Sequence, residues 1–214
     1  MEHVSKIFRG QTVLRDITVS FSRAKIHGII GQNGSGKTVL LKCICGLLCP
    51  SSGSITVKGK VIGRDADFAP DTGAIIETPQ FLSYKSGMAN LYDLARIRHK
   101  IGKPEIIQAM ERVGLDPDSR KHVSKYSLGM RQRLGIAQAI MESPDILILD
   151  EPMNGLDKQG VQDMRRLFMD LRSEGKTILL ASHNAEDIQI LCDTVSEIED
   201  GKWIPVRGFE STSY

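Results

Sequence analysis

Gly31-Gln32-Asn33-Gly34-Ser35-Gly36-Lys37-Thr38 decides how this chain is read, because of what flanks it. Ile26-His27-Gly28-Ile29-Ile30 before it is short, apolar and β-branched, and Val39 to Leu48 after it is a longer apolar segment. The order is strand, glycine-rich turn, helix. Gly31, Gly34 and Gly36 let the backbone curl until successive N–H groups point inward, and the N-terminus of the following helix completes a nest for anions. Such a nest holds phosphates. Lys37 adds a point charge for β- and γ-phosphates, and Thr38 adds a hydroxyl for a Mg²⁺ shell. Asn33, Ser35 and Val39 belong to the same nucleotide-contacting stretch. A glycine turn with a surface lysine is the bland alternative, and the flanking strand and helix speak against it.

Outward from the loop, Ile146-Leu149 and Thr177-Ala181 are short apolar runs, each preceded by a helical pattern, Leu128-Met141 and Val161-Arg172. They read as buried parallel strands of an α/β core. Asp150 ends the first run, so its carboxylate stands at the carboxyl mouth of a strand, where open parallel sheets bind ligands. It is a Mg²⁺ ligand, through water. Glu151 follows it and can polarise the water that attacks a γ-phosphate, a task for a carboxylate near the metal but not on it. The alternative is an acidic pair that only caps the next helix.

Thr12-Phe21 and Gly53-Ile62, with a turn at Gly59, read as exposed strands of a small antiparallel layer. From Thr78 to about Gln138 the character changes to helices around Met88-His99 and Glu105-Val113, broken by Gly102, Pro104, Gly114 and Pro117. One domain over 1–204 follows, with core and β layer in 1–77 and 139–204, a helical subdomain in 78–138, and a polar tail in 205–214. Met1 to Ser5 leaves little room for a first edge strand before Lys6, so the layer lacks that strand or the start lies upstream.

The chain has 214 residues, 41% hydrophobic and 25% charged, with net charge +2, which fits one folded domain and excludes a disordered or collagen-like chain. That charge is too small for a nucleic-acid partner, although Arg96, Arg98, His99, Lys100 and Lys103 form a local basic run, either a solvated helix face or a partner surface. No apolar run approaches the roughly 18 residues of a membrane span, and no signal-peptide pattern opens the chain. Cys43, Cys45 and Cys49 are read as buried free thiols of a reducing compartment.

With these residues in place, the chain resembles the ATP-binding subunits of ABC transporters over nearly its whole length. Asp150-Glu151-Pro152 resembles the family's Walker B segment, Asn154-Gly155-Leu156-Asp157 its D-loop, and Ser182-His183 its switch histidine. The family signature is Leu-Ser-Gly-Gly-Gln; Tyr126-Ser127-Leu128-Gly129-Met130 keeps the serine and the second glycine, with Tyr126, Leu128 and Met130 at the other three positions. The resemblance implies a P-loop NTPase (RecA-like) core, ATP and Mg²⁺ as ligands, and dimerisation with a second copy or a homologous ATPase subunit. In that arrangement Ser127 bonds a γ-phosphate on the other subunit, and Gly129 allows close backbone approach at a helix N-terminus. It also implies that Phe8 stacks on adenine, that His183 fixes the attacking water, and that Asp157 lies at the dimer seam. An ordinary core phenylalanine, a structural histidine and a turn-forming aspartate remain the alternatives.

The family normally offers a glutamine that touches Mg²⁺ after the β layer. Here Gly73-Ala74-Ile75-Ile76-Glu77-Thr78-Pro79 puts Glu77 there, with Gln80 as the candidate after a shift of register. Glu77, Pro79 and Phe81 together with Ser127-Met130 resemble the bacitracin-type branch of peptide or multidrug exporters. The implied function is ATP hydrolysis driving a separate membrane permease, docked around Glu77-Tyr84, at the cytoplasmic side of the membrane. A non-transport ABC ATPase and an ATP-switched assembly module with weak hydrolysis are the alternatives.

Overall fold

The computed structural model describes residues 1–206. In chain order the elements are β1 (Glu2–Phe8), β2 (Gln11–Ile17), β3 (Ile26–Ile30), α1 (Lys37–Cys45), β4 (Ser52–Ser54), β5 (Thr56–Val57), β6 (Lys60–Val61) and β7 (Thr72–Ile75). Then follow α2 (Gly87–Arg98), α3 (Lys103–Arg112), α4 (Leu128–Ile140), β8 (Ile146–Asp150), α5 (Lys158–Ser173), β9 (Thr177–Ala181), α6 (Ala185–Leu191), β10 (Thr194–Glu199) and β11 (Lys202–Pro205). The main sheet has the order β11-β10-β3-β9-β8-β7. Its strands from β10 to β7 are parallel, and β11 closes one edge antiparallel to β10.

Period-two alternation explains how one sheet is covered on both faces. On β8 and β9, Leu147, Leu149, Ile178 and Leu180 join a cluster with Met164, Leu167, Phe168 and Leu171 of α5 and with α3 and α4. Ile148, Leu179 and Ala181 point the other way, into a cluster with Leu40, Leu41 and Ile44 of α1 and with Val4, Leu14 and Ile17 of the small layer. Both faces are buried, which is why these strands are continuously apolar.

The helices begin where local chemistry dictates. Ser86 accepts from Ala89 N, Ser127 from Met130 N and Asp157 from Gly160 N, each capping α2, α4 or α5. Pro104 falls in the first turn of α3, where its missing N–H has no intrahelical partner to lose.

Several expectations are corrected. A strand is present before Lys6 after all: β1 begins at Glu2 and lies between β2 and β4, in the middle of the small layer and not at its edge. Its alternation is interrupted by His3 at φ 53 and by register shifts between Val4 and Ile7, which hid it from a pattern search. The second strand stops at Ile17 rather than reaching Phe21. Helix α4 runs unbroken past 138, so the division between helical and core segments set there falls inside a helix. Pro205, assigned to the tail, pairs with Ser196 in β11, and the rest of that tail from 207 onward lies outside the described residues. Cys43 and Cys45 are buried, but Cys49 is exposed because α1 has ended at Cys45 and the chain has left the core.

Candidate functional site

Three catalytic-type segments meet because three parallel strands end on the same edge of the sheet. The glycine loop follows β3, Asp150 ends β8, and Ser182-His183 follow β9, the strand between them. Carboxyl ends of parallel strands are where open α/β sheets bind ligands. A cavity of about 490 Å³ opens there, lined among others by Asn33, Gly34, Gly36, Lys37, Thr38, Val39, Glu77, Asp150 and Glu151.

Inside it the side chains are tightly placed. Lys37 is buried, and its Nζ donates to the carbonyls of Gly31 at 2.6 Å and Gln32 at 3.1 Å, which hold the ammonium over the loop. Thr38 Oγ1 donates to Asp150 Oδ2 at 2.6 Å, so the hydroxyl and carboxylate expected to share a metal are adjacent. Among the described residues no cluster of three or more His, Cys, Asp or Glu side chains could hold a metal alone. A Mg²⁺ ion suits this pair nonetheless, since it takes one or two protein oxygens and completes its shell with phosphate and water. The Ser35 hydroxyl oxygen is buried within the loop without a hydrogen-bond partner, a polar atom that an anionic ligand at the nest suits.

Glu151 and His183 form a pair, Nδ1 to Oε1 at 2.8 Å. Glu151 stands at φ 50, a left-handed conformation uncommon for a side-chain-bearing residue, and its N–H donates to Ala181 O. The backbone of β9 thus aims the carboxylate, and the chain emerging from β9 supplies the imidazole. His183 is 62% exposed at its side chain, which excludes a buried structural role.

Glu77 lines the cavity, whereas Gln80 is exposed and does not. Glu77 has φ 61 and accepts from Lys42 Nζ at 2.6 Å. Phe8 is 41% exposed at the end of β1, with Lys6 Nζ 4.9 Å from its ring centroid, and it is not a core residue. It precedes the turn to Gln11 and Val13, which line a second cavity of about 600 Å³ on the other side of the glycine loop.

Ser127, Gly129 and Asp157 do not line the phosphate cavity. Ser127 is exposed at the N-terminus of α4, and Leu128 beside it is 52% exposed. A Cβ on Gly129 would lie 3.1 Å from the Gly155 carbonyl oxygen, so the two glycine-bearing segments press together backbone to backbone. Asp157 serves as the N-cap of α5 through Gly160 N at 2.9 Å, the turn-type role, at the end of the same segment. Tyr126 is buried at the first signature position; burial raises its phenol pKa, opposed by the Gly87 N–H, which ties the signature to the start of α2.

Sequence reasoning passed over Gln132, and named Asn154 only as part of the D-loop segment although it lines the cavity. Gln132 is 6% exposed, lines the cavity, and its Nε2 lies 3.4 Å from Glu151 O. An amide one turn after Leu128, on the face of α4 that buries Gly135 and Ile136, was the signal available.

Comparison with known proteins places this geometry. The family described as "ABC transporter" matches residues 14–154. "Uncharacterized ABC transporter ATP-binding protein YybJ" of Bacillus subtilis (strain 168) is 42% identical over 200 residues, covering 94% of this chain and 92% of that protein. "Bacitracin transport ATP-binding protein BcrA" of Enterococcus faecalis is 39% identical over 202 residues, 94% of this chain and 66% of its own length. In fold, the chain is similar to the ATP-binding cassette MJ0796, solved as a dimer in a post-hydrolysis state bound to ADP and Pi, with TM-score 0.86 and 18% identity over 97% of this chain and 98% of that one. The chain belongs to the ABC transporter family, as one of its ATP-binding, ATP-hydrolysing domains.

Proposed function

We propose that two copies of this chain, or one copy and a homologous subunit, close around two ATP molecules and drive a separate membrane permease that exports a peptide or drug-like substrate. The observation that carries the reading is the placement of Ser127 and Gly129, which do not line the phosphate cavity although Leu128 between them reaches its rim. Ser127 and Gly129 stand at an exposed helix N-terminus outside the cavity lined by this chain's own glycine loop, so their anion-binding end is available to a nucleotide held by another chain.

Within one site the roles follow from placement. The glycine loop and Lys37 hold the triphosphate. Thr38 and Asp150 would hold Mg²⁺, with Glu77 beside them, and bound Mg²⁺ supplies charge neutralisation on the phosphate oxygens. Glu151 accepts the proton of the attacking water, and His183, hydrogen-bonded to Glu151, orients that carboxylate and faces the γ-phosphate. Phe8, at the end of β1, offers an exposed ring for adenine.

No helix among the described residues is long and apolar enough to cross a membrane. In the proposed transporter the spans belong to a permease chain, with this domain docked on it at the cytoplasmic face. Leu82 and Tyr84, 44% and 65% exposed just after Glu77, support a docking surface that reports directly on the site. The similarity to a bacitracin transport protein supports export as the direction.

The test is Glu151→Gln. Without a base the variant is expected to keep ATP, and light scattering should show a dimer in ATP that is absent without nucleotide. Hydrolysis at the wild-type rate would remove Glu151 as the base, and turnover of the wild-type chain near zero would favour an ATP-switched module.

A further inference from the structure

Lys42 has no part in the chemistry described above, yet it reaches the site. It occupies the last turn of α1, and its Nζ lies 2.6 Å from Glu77 Oε1. The cavity at the glycine loop is lined by three carboxylates, Glu77, Asp150 and Glu151, and by one ammonium, Lys37. A triphosphate entering that space is itself polyanionic, so each uncancelled carboxylate in the wall weakens its binding.

Two of the three carboxylates have partners within the catalytic set, Asp150 in Thr38 and Glu151 in His183. Glu77 has Lys42. The lysine is the better packed of the two, with its side chain 26% exposed against 64% for Glu77. Glu77 is held at φ 61, so the backbone restricts where its carboxylate can go. An exposed ion pair contributes little to folding stability. Its consequence here is the potential felt by an anion in the adjoining cavity.

We infer that Lys42 is a positioning residue for Glu77, and that their ion pair presents the nucleotide with a net-neutral hydrogen-bonding unit in place of a bare carboxylate. Lys42 thereby sets ATP affinity through Glu77 and not through contact with the phosphates. This rests on the reading of the cavity as the ATP site.

A double-mutant cycle on the full chain tests it, using calorimetric binding of ATP with and without Mg²⁺ at low and high salt. Lys42→Met should weaken binding about tenfold at low salt, because Glu77 is left uncompensated, and less at high salt. In the Mg²⁺-free titrations, where the place of Glu77 beside the metal has no part, adding Lys42→Met to a Glu77→Gln background should cost less than about twofold. Lys42→Arg, which keeps the charge and the reach, should restore binding to within about twofold of wild type. Equal losses from Lys42→Met in both backgrounds, or a loss in Lys42→Arg as large as in Lys42→Met, would overturn the inference alone. Absence of ATP binding by the wild-type chain would overturn the proposed function and this inference with it.

Discussion

The glycine loop and the N-terminus of α4 both present backbone N–H groups at the start of a helix, but the first is surrounded by partners from its own chain and the second is exposed. At the loop, β3, α1 and β8 bring Lys37, Thr38 and Asp150 into contact, and Lys37 is 7% exposed. At α4, Ser127 spends its side chain on capping Met130 N, and Leu128 stands 52% exposed beside it. The difference teaches where affinity and turnover are controlled. In the proposed mechanism one chain carries what binds a nucleotide, and a second surface completes the reaction geometry.

The comparison breaks most plainly at Lys37. Lys37→Met should abolish both binding and hydrolysis, with turnover down by at least about 1000-fold, since the change removes the only ammonium in the cavity wall among the described residues. Retained affinity in a fluorescent-nucleotide titration would contradict the loop's role. Ser127→Ala should behave differently. Turnover should fall about tenfold, as for one lost transition-state contact, while the affinity of a dilute single chain for nucleotide changes by less than about twofold. If both variants lose affinity alike, the two regions are not separable.

The packing behind the loop can be read with thiol reagents. Burial pushes Cys43 up to about 11 and Cys45 and Cys192 up to about 12, whereas Cys49 is exposed. Labelling of the native protein at pH 8 should modify Cys49 first, and the other three only on unfolding. Early labelling of Cys43 or Cys45 by mass spectrometry would mean that α1 opens and that the finished site is less closed than its geometry.

The smallest effect concerns β3, the strand that carries the loop. His27 is 5% exposed, with Nδ1 2.7 Å from Thr194 Oγ1 and Nε2 2.8 Å from Ser22 O. Burial lowers its pKa below the ordinary 6.5, opposed by the Ser22 hydrogen bond. The unfolded chain then takes up the proton first, so this contribution to stability is present above about pH 6.5 and is lost as pH falls through that value. His27→Gln should flatten the decline in urea midpoint between about pH 7.5 and 5.5. An unchanged slope would place the acid sensitivity elsewhere.

Much of the site was legible without coordinates because it is local. Gly31 to Thr38 needs only the adjoining strand and helix, and Asp150-Glu151 needs only the end of a strand. Gln132, Lys42 and the pairing of His183 with Glu151 were not legible, since each depends on elements separated by 19 to 35 residues in sequence. The strands β10 and β11 were missed for a related reason. Thr194–Glu199 alternates with charged residues and reveals itself only by pairing with β3.

The order of residues along this chain determined the glycine nest, the acidic pair at a strand end and the family, because hydrogen bonding in a glycine turn and periodicity in a strand act over a few neighbours, whereas Thr38 meets Asp150 across 112 residues. Tertiary structure decided which charges face one another. Lys42 opposite Glu77, His183 on Glu151 and Gly129 against Gly155 are set by how α1, α4 and β9 pack on the sheet. Electrostatic and steric contact depend on distance in space, and only the packed fold fixes that.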